Sequence, residues 1–129
     1  MKNNKNQLTE TCKENFKIWK KNSFENDGFF PIFNGFKEEF YLREISGNAF
    51  KLYVYLGLHT KNETGETWVS IKSMSEYFKC TERSISNWLK ELEERKLIYR
   101  KQLEFNGPAY TYLLPYAQSS LHKKTEETL

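Results

Sequence analysis

Two neighbouring stretches near the middle of the chain place apolar residues at helical spacing. At roughly 100° per residue these positions form one stripe on each helix and are expected to be buried. They are Met74, Tyr77, Phe78, Ile85, Trp88, Leu89 and Leu92. Ser73 and Glu76 have the spacing of a capping box, so the first helix is predicted to begin at Ser73. Thr81 can cap the second helix after a short junction, which predicts a sharp turn.

The flanking segments predict a further helix and a small antiparallel sheet. Residues 67–71 alternate as a short strand, and strand composition returns over 97–103 and 109–114 around a turn signal at Asn106-Gly107. The predicted order is helix, strand, helix, helix, strand, strand. Ser46 can cap the first of these helices, and its apolar stripe is Ala49, Leu52, Tyr53 and Leu56.

The polar face of the second central helix carries side chains that suit base recognition. Arg83 can donate two hydrogen bonds to guanine, and Asn87 can pair with two atoms of adenine. Acidic residues gather in the later turns, so the charge order fits a helix that enters a DNA groove by its amino-terminal half. An ordinary surface helix with a solvated polar face would share the periodicity. The outward residues are Arg83, Ser86, Asn87 and Lys90, and the acidic residues of the later turns are Glu91, Glu93 and Glu94.

Residues 45–116 resemble the bacterial winged helix-turn-helix superfamily. The resemblance rests on SMSEYFKC, TERSISNWLKELEERKLI and YRKQLEFNGPAYTYLL, in this order. It implies an α+β, mainly α fold: a winged helix-turn-helix with a small antiparallel sheet, to which this chain adds an amino-terminal helix. MarR-like and GntR-like regulators and the amino-terminal domains of plasmid replication initiators share such patterns. The lead-in FYLREISGNAFKLYVYLGLHTKN looks most like the initiator or phage and plasmid type. No catalytic or effector-binding residues carry over.

Double-stranded DNA is the expected partner, with the recognition helix in the major groove and the wing on the backbone. Transcriptional regulation and replication or maintenance of a plasmid or phage both remain open. The alternative is a winged-helix module that binds another protein, for which an exposed aromatic or Leu anchor on the recognition helix would be expected. The residues predicted to contact DNA are Lys72, Lys79, Thr81, Arg83, Ser84, Ser86, Asn87, Lys90, Arg100, Lys101, Asn106 and Gly107.

Length and charge agree with a stand-alone binding domain. The 129 residues suffice for one domain with a proper core but not for a separate full-size effector domain. The formal net charge is +3 and the sequence pI is about 8.8, a mild basic bias that permits nucleic-acid binding. From Lys79 to Lys101, seven basic residues outnumber four acidic ones, so the basic excess is local to the predicted contact region.

Residues 1–28 are predicted to form an amphipathic helix and a linker. The apolar residues of this helix are spaced by four, four and three, and they are Leu8, Cys12, Phe16 and Trp19. Their stripe covers either the chain's own domain or a second subunit. Because one recognition helix reads only a few base pairs, we expect a homodimer that associates through this stripe and reads two half-sites.

Residues 29–116 are assigned to the winged domain, and residues 117–129 to a polar tail. Asp27-Gly28, Pro31 and Asn34-Gly35 punctuate the aromatic segment that opens this region, which predicts short strands or turns. The large apolar side chains expected to be core there are Phe29, Phe30, Ile32, Phe33 and Phe40.

No enzyme, cofactor or metal site is indicated. His59 and His122 lie far apart, and neither has paired cysteines nearby. The chain shows no glycine-rich phosphate loop and no nucleophile elbow. Cys12 and Cys80 are expected to be free thiols in a reducing cytosol. Without a bilayer-spanning apolar run or a secretory signal, a soluble cytoplasmic protein with no membrane partner is expected.

Overall fold

The structure, a computed structural model, describes residues 2–102 and 109–117. The chain divides into two compact units, Met1–Pro31 and Ile32–Leu129. The first, the amino-terminal unit, contains α1 (Lys2–Asn26). The second, the carboxy-terminal unit, contains in chain order α2 (Gly35–Glu38), α3 (Tyr41–Glu44), α4 (Gly47–His59), β1 (Glu66–Thr67), α5 (Ile71–Phe78), α6 (Glu82–Glu94), β2 (Ile98–Gln102) and β3 (Ala109–Leu113).

The order of elements from α4 onward is the predicted one, and the mainly helical α+β fold is confirmed. The strands form an antiparallel sheet in the order β1-β3-β2. Thr67 of β1 lies opposite Thr111, and Ile98 of β2 lies opposite Leu113, so β3 is the central strand. The polar tail lies largely outside the described residues, which end at residue 117.

The start of α5 differs from the prediction. Ser70 is its N-cap, and the Ser70 hydroxyl accepts a hydrogen bond from the Ser73 N–H at 3.0 Å. The predicted start at Ser73, with Glu76 completing a capping box, is wrong, because a hydroxyl three residues earlier satisfies the free donor and lengthens the helix. Ile71 therefore belongs to the helix, and the predicted strand over 67–71 is reduced to β1.

The core forms where α4, α5 and α6 pack together. The Ser46 hydroxyl caps α4 as predicted, accepting a hydrogen bond from the Ala49 N–H at 3.1 Å. The predicted stripe of α4 is buried. The apolar side chains that fill this core include Ala49, Leu52, Tyr53, Leu56, Met74, Ile85, Leu89, Leu92, Leu97 and Ile98.

Tyr77 departs from the predicted apolar stripe of α5. Its side chain is 66% exposed, whereas Met74 is fully buried and Phe78 is half-buried. A helix of eight residues has room for only a narrow buried face, which Met74 and Phe78 occupy one turn apart. The Tyr77 ring lies instead beside Tyr55 of α4, with centroids 4.7 Å apart.

The aromatic segment before α4, which the structure describes throughout, contains no strand: Asp27 and Asn34 lie in turns, which was one of the two predicted alternatives, and the short helices α2 and α3 follow. The prediction that its large apolar residues form the core is wrong for most of them. The exposed fractions are 47% for Phe29, 42% for Ile32, 66% for Phe33 and 50% for Phe40, while Phe30 is half-buried. The ring that fills the core is Phe36, which is 1% exposed and had no predicted role.

Phe36 packs against rings that come from distant parts of the chain. Its centroid lies 5.3 Å from that of Tyr53 in α4 and 5.4 Å from that of Tyr116 after β3. The Tyr116 hydroxyl accepts a hydrogen bond from the Phe33 N–H at 2.8 Å. Burial raises the pKa of Tyr53, and the neighbouring Tyr116 raises it further. This aromatic cluster fixes α2 against α4 and the segment after β3.

Substitution of Gly35 tests the close packing of α2. A Cβ added there would overlap the Cβ of Ala117, so Gly35→Ala is expected to lower the free energy of unfolding by about 1–3 kcal/mol. Gly47→Ala is the matched control, because its added Cβ meets nothing within 4 Å and alanine favours the helix that begins there. Urea denaturation measures both variants. Equal stability of the two would contradict the close approach.

Candidate nucleic-acid interface

α5 and α6 are joined by a short turn of residues 79–81. Lys79 adopts a left-handed conformation, with φ 54° and ψ 51°, and ends α5. The Cys80 N–H then donates a hydrogen bond to the Ser75 carbonyl at 3.1 Å. This geometry redirects the chain into α6 and leaves the Lys79 side chain exposed beside the start of that helix.

Thr81 caps α6 as predicted. Its hydroxyl accepts a hydrogen bond from the Ser84 N–H at 3.1 Å and donates one to the Ser84 hydroxyl at 3.0 Å. Ser70 and Ser73 form the same pair of bonds at the start of α5. Thr81 and Ser84 were both predicted to contact DNA, and the structure places their hydroxyls within the cap, where a phosphate would have to share them.

α6 has two distinct faces. Ile85, Leu89 and Leu92 are at most 2% exposed. Trp88 is half-buried at the edge of this face, with its ring perpendicular to that of Phe78 at 5.9 Å. The opposite face brings together four exposed side chains of the predicted contact set, Arg83, Ser86, Asn87 and Lys90.

The wing separates its two predicted cationic contacts. Successive strand residues point to opposite faces, so Arg100 and Lys101 of β2 do not share one face of the sheet. Arg100 is half-buried, and its Nε–H donates a hydrogen bond to the Thr111 hydroxyl at 3.2 Å. Burial lowers the pKa of the Arg100 guanidinium, while the charge of Glu93 opposes that shift. Lys101 is exposed and is the better placed of the two for a phosphate contact.

The remaining predicted site residues fall into three groups. Lys72 is exposed on α5. Asn106 and Gly107, at the predicted wing tip, lie outside the described residues. In the amino-terminal unit, the predicted dimerisation residues lie on α1 and are all exposed, with exposed fractions of 66% for Leu8, 57% for Phe16 and 62% for Trp19, and with Cys12 as a free thiol.

Glu91 has a structural role that its surroundings in sequence do not indicate. Its carboxylate accepts hydrogen bonds from the Ser46 N–H at 2.6 Å and from the Ser46 hydroxyl at 2.8 Å. One turn later, Arg95 pairs with Glu44 of α3 at 2.7 Å. These contacts, here called the α6 clamp, attach the acidic end of α6 to the start of α4. Glu91 is 45 positions from Ser46, so their contact could not be predicted from the sequence. The one related signal was the predicted cap at Ser46.

Other functional chemistry is sparse in residues 2–102 and 109–117. No group of three or more His, Cys, Asp or Glu side chains there is placed to hold a metal ion. None of the helices within the same ranges is long and apolar enough to cross a membrane. Cys80 is a half-buried free thiol in the turn before α6.

Residues 43–98 match a family model described as a helix-turn-helix domain. The elements from α4 to β3 have a winged helix-turn-helix fold. The helix-turn-helix is α5, the turn and α6, and the strands β2 and β3 that follow form the wing. The resemblance inferred from the sequence is therefore confirmed.

Two solved structures share the fold. One is described as the N-terminal domain of a DNA binding protein and matches with a TM-score of 0.52. The other is described as a Rep-DNA complex and matches with a TM-score of 0.53. Each is 18% identical to this chain, and each match covers 78% of this chain and 86% of the other. No curated protein matches the chain.

Glu91→Ala tests the α6 clamp. Because the variant removes the acceptor of two Ser46 hydrogen bonds, the free energy of unfolding is expected to fall by about 1–2 kcal/mol. Glu94→Ala, an exposed residue in the next turn of α6, removes the same charge and is expected to change stability by less than about 0.5 kcal/mol. Chemical denaturation compares them. Indistinguishable losses would refute a specific role for Glu91.

Proposed function

We propose that this chain binds double-stranded DNA in a sequence-specific way, with α6 in the major groove. The observation that supports this most directly is the exposed face of α6. Arg83 and Asn87 can each make two hydrogen bonds to a base edge, and Lys90 adds a charge one turn further on. The buried stripe of α6 fixes which side of the helix is presented. Glu91, the first acidic residue in the later turns of α6, is held by its hydrogen bond from Ser46.

Phosphate contacts complete the proposed interface. Lys72 on α5, Lys79 in the turn and Lys101 on the wing are exposed. Arg100 is a supporting member of this set, since its guanidinium is already bonded to Thr111. The wing tip at Asn106-Gly107 belongs to the proposal from sequence. Such contacts fix the position of a protein on the duplex without reading its sequence.

The comparisons support DNA as the partner and favour a role at a replication origin. One similar structure is described as a Rep-DNA complex, which agrees with the initiator-like lead-in before α4. Repression or activation of a promoter remains the other reading of the same site. A footprint over repeated origin sites would favour replication or maintenance of a plasmid or phage, and a palindrome over a promoter would favour transcriptional regulation. We propose binding without catalysis, and a cytoplasmic location.

Protein binding without DNA is the second candidate function. The exposed face of α6 offers no aromatic or leucine anchor, but α5 exposes Tyr77 and α4 exposes Leu58 at 63%. Exposed aromatic and leucine side chains suit a protein interface. Selection from a random duplex pool, followed by sequencing, separates the two candidates. A recovered motif supports the DNA proposal, and absence of any binding favours the protein-binding one.

Asn87→Ala tests base readout. Loss of a bidentate contact is expected to cost about 1–3 kcal/mol and to relax preference at one base pair. Lys101→Ala is the comparison variant, expected to weaken all sequences alike and to lower the salt slope by about one. Titration of the selected duplex and a scrambled duplex at several salt concentrations measures both. Equal, sequence-independent losses would refute base readout by Asn87.

Homodimerisation through α1 is a further part of the proposal. Phe16→Glu is expected to give a folded monomer, because it places a charge in the apolar stripe of Leu8, Cys12, Phe16 and Trp19. Gln7→Glu adds the same charge on another side of α1 and is expected to leave a dimer intact. Sedimentation velocity measures the mass. A dimeric Phe16→Glu variant would move the interface elsewhere, and a monomeric wild type would refute the dimer.

A further inference from the structure

α1 carries a row of cationic side chains beside its apolar stripe. Lys13, Lys17 and Lys20 follow one another at i, i+4 and i+7, so they share one face and span roughly 10 Å along the helix axis. On the surface of α1 they border Cys12 and Phe16 of the apolar stripe. All three lysine side chains are exposed. We call these three residues the lysine row.

The acidic residues of α1 leave most of the lysine row uncompensated. Glu10 pairs with Lys13 at 3.6 Å, but both side chains are more than 60% exposed, so this pair is weak and screened by salt. Glu14 lies three residues before Lys17, at the same spacing, but the described residues show no ion pair between the two, and Glu25 lies on another side of the helix. An anion of extended shape is the complementary partner for such a row.

We propose that the lysine row binds the phosphate backbone of double-stranded DNA, as a contact surface additional to α6 and the wing. This inference rests on the proposed function. Phosphates of one strand follow at about 3.4 Å along the duplex axis, so a row of roughly 10 Å is long enough for each lysine to contact a different phosphate. The centre of the row lies roughly 100° around α1 from the centre of the apolar stripe, so phosphate binding and a dimer seam use different sides.

The composition of α1 favours DNA over a lipid surface. Membrane-surface helices bury one broad apolar face, and their binding strength grows with the area of that face. In α1 the large apolar side chains are distributed, because Ile18 and Phe24 lie on other sides of the helix than the stripe. Both are about half exposed. The lysine row forms a more continuous surface on α1 than the large apolar side chains do.

The test replaces the lysine row by glutamine in the full chain. The variant Lys13→Gln/Lys17→Gln/Lys20→Gln is compared with Lys37→Gln/Lys51→Gln/Lys61→Gln, which removes three exposed charges outside α1. Affinity for the selected duplex is titrated from low to moderate salt, and circular dichroism checks the helix content. The row variant is expected to lower the slope of log K against log salt by roughly 2–3, while the control lowers it by less than about one. A Lys→Arg triple variant at the row is expected to keep the wild-type slope.

The outcomes separate the inference from the function on which it rests. If wild type binds no duplex, the proposed function fails. If wild type binds and the row variant keeps its slope, the inference alone is overturned. Equal slope losses in the row and control variants would also overturn it, since they would reflect net charge only. If only the row variant loses binding to vesicles containing anionic lipid while its DNA slope is unchanged, the row is a lipid contact instead.

Discussion

The position of α6 depends on burial of one side of that helix. Ile85, Leu89 and Leu92 are at most 2% exposed, and they recur with the helical period. The side that carries Arg83 and Asn87 must then face away from the core. The chemistry proposed for base reading thus depends on an apolar contact in which none of the base-reading side chains takes part.

Polar contacts complete this arrangement at both ends of α6. Thr81 satisfies a free N–H at the start of the helix, and Glu91 near the other end satisfies the free N–H of Ser46. Arg95 and Glu44 add an ion pair at the same end. Glu91 is therefore part of the scaffold, whereas Glu93 and Glu94 are exposed, and the basic and amide-bearing half remains available for a partner.

The sheet distributes its charges by the same geometric logic. Alternation along β2 places Arg100 against Thr111 and leaves Lys101 exposed, so two adjacent cations have different roles. In the amino-terminal unit, helical periodicity separates the lysine row from the apolar stripe of α1. In both places the period of the secondary structure assigns each side chain its surroundings.

The sequence by itself determined the features that depend on residues within one or two helical turns. The caps at Ser46 and Thr81, the buried stripes of α4 and α6 and the order of elements from α4 onward are of this kind, because spacing alone defines them. The tertiary structure decided which of several equivalent local signals prevails. It selected Ser70 over Ser73 as a cap and Phe36 over its aromatic neighbours as a core residue, because only packing against α4 and Tyr116 distinguishes among similar rings. It also decided the contact of Glu91 with Ser46, since partners 45 positions apart meet only after the helices have packed.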